Sequence, residues 1–205
     1  MGKVGIMGGT FDPIHNGHIL IGRQAYEEYQ LDEIWYMPSG QPPHKRDHRV
    51  TDARIRGKMT RLAIEDYPYF RFSDFEIKRQ GNSYTAQTLQ VLTRDYPEHI
   101  FYFIVGADSL FQIETWYHPE TIMELAVILA AGRDCKNKGR SLEEQIAYLK
   151  GAYHARIQRL HSGEIDVSSA ELRSMAANGI SLKPYVPPKV LAYIESQNLY
   201  MQVER

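Results

Sequence analysis

Lys3-Val4-Gly5-Ile6-Met7 runs directly into Gly8-Gly9-Thr10-Phe11-Asp12-Pro13-Ile14-His15-Asn16-Gly17-His18, and from Gly17 to Tyr29 the apolar residues Ile19, Leu20, Ala25 and Tyr26 recur at helical spacing. A short apolar strand, a Gly-Gly turn and an amphipathic helix make the first half of a βαβ unit. Gly8 and Gly9 let the backbone approach a ligand closely, although the spacing is not that of the GxGxxG dinucleotide turn. A helix starting near Asn16 or Gly17 aims N–H groups and a positive dipole end at an anion. His15 and His18 are three residues apart, so both face one side of that first turn. Two surface histidines beside an ordinary turn is the plainer reading, but the position right after a buried strand favours a phosphate site. A metal site is the weaker option, because two histidines lack a third ligand nearby.

The same alternation continues along the chain. Strands are expected at Ile34–Met37, Ile100–Val105, Ala126–Ala131 and Arg156–Leu160, with one or two more between Phe70 and Lys78. Helices are expected over Thr51–Asp66 (capped by Thr51 or Asp52), Thr85–Tyr96, up to Leu125, Ser141–Ala152, Ala170–Asn178 and Pro187–Gln197. Strands alternating with helices predict an α/β fold, a Rossmann-like, doubly wound, mostly parallel sheet. Residues 1–165 read as that core, and 166–205 as a small helical C-terminal part of the same domain. Ligands of such sheets bind beyond the carboxyl ends of the strands, where the strand order reverses.

Composition narrows the partners. The 205 residues carry 24 Lys+Arg against 25 Asp+Glu, a net charge of -1, which disfavours a chain that wraps nucleic acid or a polybasic membrane binder. Cys135 is the single cysteine, so CxxC zinc or redox sites are excluded and a reducing cytoplasm is favoured. No apolar run approaches the ~18 residues of a membrane span, and no signal-peptide core stands at the N-terminus. The overall sum hides a local feature. Between Gln41 and Arg61, seven basic residues (Lys45, Arg46, Arg49, Arg54, Arg56, Lys58 and Arg61) face only Asp47 and Asp52, a net +5. Four of the eight histidines (His15, His18, His44 and His48) lie in the first 48 residues. This concentration favours a polyanionic small molecule, with several of the arginines on the solvent side of their helix.

Other strand ends carry candidates of the same kind. Pro38-Ser39-Gly40-Gln41-Pro42-Pro43-His44-Lys45 is a stiff loop that could hold His44 and Lys45 against a phosphate, or a plain solvent loop. Gly106-Ala107-Asp108 places an acid at a strand end, where it can accept from ribose hydroxyls or cap a helix. Trp116 is either a core anchor or a platform for a flat ring. Ser168-Ser169-Ala170-Glu171-Leu172-Arg173 opens a helix, with a serine as N-cap or as part of a second phosphate site backed by Arg173.

Taken together, Gly8 to His18, Pro42-Pro43-His44-Lys45, Ser83-Tyr84-Thr85, Gly106-Ala107-Asp108 with Trp116, and Ser168-Ser169 with Arg173 resemble the bacterial nicotinate mononucleotide adenylyltransferases. These belong to the HxGH nucleotidyltransferase superfamily related to class I aminoacyl-tRNA synthetases. The resemblance spans nearly the whole chain. It implies adenylyl transfer from ATP to nicotinate mononucleotide, giving deamido-NAD and pyrophosphate in NAD biosynthesis. It implies that His15, His18, Lys45 and Arg173 are catalytic. ATP would be held by Gly8, Gly9, Thr10, Phe11, His15, His18, Gly106, Asp108, Arg133, Ser168, Ser169 and Arg173. The mononucleotide would be held by His44, Lys45, Thr85, Trp116 and Tyr117, with Trp116 stacking on the ring. Mg²⁺ would be carried mainly by phosphates and water rather than by a protein cage. Two departures from the family pattern stand out. Ala170 replaces a threonine, removing one hydroxyl, and Gly132-Arg133-Asp134 stands where Arg-Pro-Gly is usual. Phosphopantetheine adenylyltransferase shares the TxDPxHxGH turn but is shorter and lacks the PPHK segment. A non-catalytic nucleotide sensor on the same fold and a nucleic-acid module built on the +5 stretch are the other readings. Preference between nicotinate and nicotinamide mononucleotides, and whether the chain forms a homo-oligomer, are left open.

Overall fold

Within Gly2–Gly9, the first strand (β1), the unbroken buried run Val4 to Met7 sends Val4 and Ile6 to one face and Met7 to the other, as a strand covered on both sides requires. The computed structural model describes residues 1–42, 50–79, 81–132, 139–161, 163 and 167–201. Among them β1, β2 (Glu33–Pro38), β3 (Phe70–Phe72), β4 (His99–Gly106), β5 (Val127–Ala131) and β6 (Ile157–Leu160) form one sheet in the order β3-β2-β1-β4-β5-β6. Every neighbouring pair is parallel. The helices are α1 (Asn16–Tyr29), α2 (Ala53–Ile64), α3 (Phe75–Lys78), α4 (Thr85–Asp95), α5 (Ala107–Gln112), α6 (Pro119–Leu125), α7 (Leu142–Tyr153), α8 (Ser169–Ala177) and α9 (Pro188–Ser196).

The sheet separates two cores. Val4, Ile6, Phe101, Phe103, Val105, Ile128 and Ala130 pack with α4, α5, α6 and α7. Met7, Ile34, Tyr36, Ile104, Val127, Leu129 and Ala131 pack with α1, α2, α8 and α9. The chain leaves β1 toward β2 and β3, then returns to place β4 on the other side of β1. The order therefore reverses between β1 and β4, and the carboxyl ends of these two strands, Gly8-Gly9 and Gly106, border the crevice.

Two local expectations are corrected. Only Phe70–Phe72 of the Phe70–Lys78 stretch pairs with β2, and Phe75–Lys78 turns into a helix. β2 ends at Pro38, which has no N–H with which to extend a ladder. A helix also begins at Ala107 with no intervening loop, so Asp108 lies in its first turn while Gly106 is the N-cap.

The seat of α1 on the sheet depends on one missing side chain. Tyr36 is fully buried, and its hydroxyl donates to the His18 carbonyl at 3.0 Å. A Cβ on Gly22 would stand 2.1 Å from that hydroxyl. An unhindered Gly→Ala change inside a helix gains roughly 0.5–1 kcal/mol. Overpacking costs about 1–3 kcal/mol, and the lost hydrogen bond about 1 more. Gly22→Ala should therefore be destabilising by about 2 kcal/mol, a drop of roughly 4–8 °C in Tm for a chain of this size. Adding Tyr36→Phe should recover part of the loss, because the next ring atom is 3.0 Å from the added Cβ. Thermal melts of both variants check this, and a Gly22→Ala protein as stable as the parent would contradict it.

Candidate active site

Two cavities meet in the crevice between β1 and β4. The larger, about 1550 Å³, is lined by Gly8, Gly9, His15, His18, Gly106, Asp108, Ser168, Ser169, Ala170 and Arg173. The smaller, about 350 Å³, is lined by Thr10, Met37, Ser39, Glu76, Ser83, Thr85 and Thr88. Gly8, Gly9, Phe103, Ser109 and Trp116 line both, so the cavities join across the end of β1. The candidates read from the Gly8–His18 turn, the Gly106 strand end and the Ser168 helix are thus brought to one cleft.

The histidine pair is held from several sides. His15 is the N-cap residue of α1, and its backbone N–H donates to His18 Nδ1 at 3.2 Å. The two imidazoles lie 3.8 Å apart, and Phe11 meets the His18 ring edge-on at 5.0 Å. Phe11 is 2% exposed with φ 51, a left-handed conformation uncommon for a bulky residue. Its ring is buried against that of His18 and lies outside the walls of both cavities. Gly9 makes room for it, since a Cβ there would stand 2.8 Å from the Phe11 ring. Burial holds the His15 imidazole down at about 4, so at neutral pH it is an uncharged ring. Its Nδ1 is buried and has no partner among the described residues. The helix start is less open than expected, because the Asn16 N–H is taken by the Tyr185 carbonyl at 2.8 Å.

α8 is fastened to the same loop. Arg173 Nη1 donates to the Asp12 carbonyl at 2.7 Å and Ser169 Oγ to the Pro13 carbonyl at 2.9 Å. Arg173 keeps further N–H groups for a ligand, since a guanidinium has five. Ser168 is the N-cap of α8, accepting from the Glu171 N–H at 3.2 Å while its hydroxyl donates to the Glu171 carboxylate at 2.7 Å. That pairing holds the Glu171 carboxyl below its usual range, through hydrogen bonds from Ser168.

Several site features carried no recognisable signal. The Asp12 carboxylate is 3% exposed and accepts from the Tyr200 hydroxyl at 2.7 Å and the Thr51 N–H at 3.1 Å. Tyr200, near the chain end, thus reaches the phosphate turn. Glu76, in the wall of the smaller cavity, accepts from Thr88 Oγ1 at 2.7 Å, and its burial pushes the carboxyl up. Arg159, in β6, and His161, just beyond it, line the larger cavity.

The basic stretch divides. Arg54, Lys58 and Arg61 are exposed, as expected for the outer side of α2, while Arg56 is 1% exposed and faces inward. Tyr117 is 44% exposed, packs on Tyr84 with ring centres 4.6 Å apart, and lies outside the walls of both cavities. Trp116 meets Phe103 edge-on at 6.2 Å, packs against the core and borders both cavities. His44, Lys45, Arg46, His48, Arg49 and Arg133 lie outside the described residues.

Comparison with known proteins agrees with this geometry. Residues 6–175 match the cytidylyltransferase-like family. A protein of Lachnoclostridium phytofermentans named as a probable nicotinate-nucleotide adenylyltransferase is 45% identical over 98% of this chain and 100% of its own. One of the same name from Moorella thermoacetica is 42% identical over 97% of this chain and 92% of its own. The Plasmodium falciparum nicotinic acid mononucleotide adenylyltransferase complexed with NaAD superposes with a TM-score of 0.81 over 98% of each chain at 20% identity, a likeness of fold.

Proposed function

Because the chain belongs to the cytidylyltransferase-like family and, within it, to the nicotinate-nucleotide adenylyltransferases, we infer that it transfers the adenylyl group of ATP to nicotinate mononucleotide, giving nicotinate adenine dinucleotide and pyrophosphate. The observation that carries this reading is the pair of cavities joined at Gly8-Gly9. The larger has room for a nucleoside triphosphate. The smaller fits a single heteroaromatic ring, with Trp116 at the junction and Thr85 in its wall.

The attacking group is a phosphomonoester oxygen of the mononucleotide. Its second pKa is near 6, so it is largely dianionic at neutral pH and needs no general base. Its bond to the α-phosphorus forms as the bond to the bridging oxygen breaks, and pyrophosphate leaves. Catalysis then consists of alignment and of stabilising charge on the departing group. His15 and His18 donate to the ATP phosphates, and Arg173 with Ser168 and Ser169 receives the β and γ phosphates. Gly106 and Asp108 border the adenosine ribose. The roles of His44 and Lys45 at the mononucleotide phosphate and of Arg133 at ATP rest on the resemblance alone. The 166–205 part completes the ATP side through the bonds of α8 to the Asp12-Pro13 turn.

Asp108 is the one carboxylate in the larger cavity's described lining, where imidazole, hydroxyl and guanidinium donors otherwise face the space. Such donors suit phosphate oxygens, and a Mg²⁺ ion keeping most of its own water fits as part of MgATP. When bound it neutralises phosphate charge. A reducing cytoplasm fits the single cysteine. Among the described residues no helix is long and apolar enough to cross a membrane. The test is pyrophosphate release with ATP, Mg²⁺ and each pyridine mononucleotide in turn. Turnover with nicotinate mononucleotide is expected, and its absence in folded protein overturns the reading.

A further inference from the structure

Arg56 is the largest fully buried side chain of the molecule's described residues, and its surroundings are unusual for a charge. Each of its four hydrogen bonds ends on a main-chain carbonyl. Nε donates to Thr51 at 2.8 Å, Nη1 to Thr10 at 2.6 Å, and Nη2 to Ser39 at 2.7 Å and Gly40 at 3.1 Å. These acceptors lie on three separate segments: the turn after β1, the turn after β2, and the approach to α2. A buried guanidinium is a poor way to gain stability, since apolar packing of the same volume usually does as well or better. What the planar fork supplies that no apolar side chain can is a fixed span between segments.

That span lies beneath the place where the two cavities join. Thr10 follows the shared Gly8-Gly9 edge and lines the smaller cavity, and Ser39 lines the same cavity from the β2 side. The β2 turn is secured again on its far side, where the Gly40 N–H donates to Ser83 Oγ at 3.0 Å. The ends of the two strands are joined directly, by the Ser39 N–H to the Gly9 carbonyl at 2.9 Å, and the guanidinium carries that tie outward to Thr10, Gly40 and the approach to α2, so the offset of the two turns beyond the ladder is set through it. If ATP lies against the first turn and the mononucleotide against the second, that offset is the offset between the α-phosphorus and the oxygen that attacks it.

We propose that Arg56 is a positioning residue for adenylyl transfer: it touches neither substrate and braces, beyond the end of the β1–β2 ladder, the two turns that hold them. The inference rests on the reading given under Proposed function and sharpens it. A misplacement of about 1 Å can cost on the order of 100-fold in rate while leaving each substrate's own contacts nearly intact. The consequence is a split between binding and turnover.

The experiment begins with the unaltered enzyme, whose turnover of ATP and nicotinate mononucleotide tests the underlying reading separately. Arg56→Lys is then assayed under conditions where circular dichroism shows it folded, and the Kd of a non-hydrolysable ATP analogue and of nicotinate mononucleotide are each measured alone. The expected result is a kcat lower by about 100-fold with each Kd changed by no more than about threefold. A second variant, Arg56→Ala, should regain part of its kcat in millimolar guanidinium chloride and none in potassium chloride of equal strength. A kcat within about fivefold of the parent, or binding losses that match the loss in kcat, would overturn the proposal. So would failure of both variants to fold, which would make Arg56 a structural staple only.

Discussion

Replacing His18 with alanine is expected to lower kcat by roughly 100- to 1000-fold, the loss seen when one preorganised donor to a developing anion is removed, equivalent to about 3–4 kcal/mol of transition-state stabilisation. The size follows from how firmly the ring is set. Its Nδ1 accepts the His15 N–H, so the neutral ring carries its proton on Nε2. The tilted His15 ring 3.8 Å away and the edge-on contact with Phe11 leave it little freedom. Such a donor needs no reorganisation when charge moves onto the pyrophosphate. His18→Gln puts an amide N–H near the place of Nε2 and should retain more activity than His18→Ala. Steady-state kinetics at saturating ATP and mononucleotide, with Tm measured in parallel, decide the matter. A folded His18→Ala enzyme with near-parental kcat would remove His18 from the chemistry.

The strands were legible because burial on both faces leaves a plain mark: Ile100–Val105 and Ala126–Ala131 are almost wholly apolar, and both became central strands. The reversal between β1 and β4 followed from a parallel sheet with Gly-rich ends. Phe75-Glu76-Ile77-Lys78 was misleading, since its apolar-polar alternation reads as strand until Pro38 ends the neighbouring ladder. The helix Ala107–Gln112 starts two residues earlier than a cap at Asp108 would place it, because β4 passes into it directly at Gly106.

Within the site, residues in local motifs were found and residues acting at long range were not. Arg56 sat in a run of basic residues whose sum suggested a ligand surface. Its helical spacing to Met59 and Ala63, both buried, was the one sign that it faces inward. Tyr200 reaches Asp12 across 188 positions, and no local pattern encodes such a contact. Phe11 lies in the motif, but no local pattern encodes the left-handed conformation in which its ring is buried.

The second large effect concerns His15 and stability rather than rate. An imidazole in the unfolded chain titrates near 6.5, and burial lowers that of His15 in the folded protein to about 4. Between these values the unfolded chain binds the additional proton, so acid favours unfolding. The stability present above pH 6.5 is thus lost as pH falls toward 4, by roughly 3 kcal/mol in all at about 1.4 kcal/mol for each pH unit. Other groups titrate in the same window, so the contribution is isolated by difference. Urea unfolding of the parent and of His15→Asn at pH 7 and pH 5 should show the parent losing about 2 kcal/mol more than the variant over that interval. Equal losses would mean that His15 is already free to take a proton in the folded chain. A bound polyphosphate should oppose the shift, because anionic oxygens beside the ring favour its charged form. With a non-hydrolysable ATP analogue present, the parent should lose less stability on acidification. The same imidazole would then be neutral in the empty cleft and drawn toward protonation by the ligand it binds.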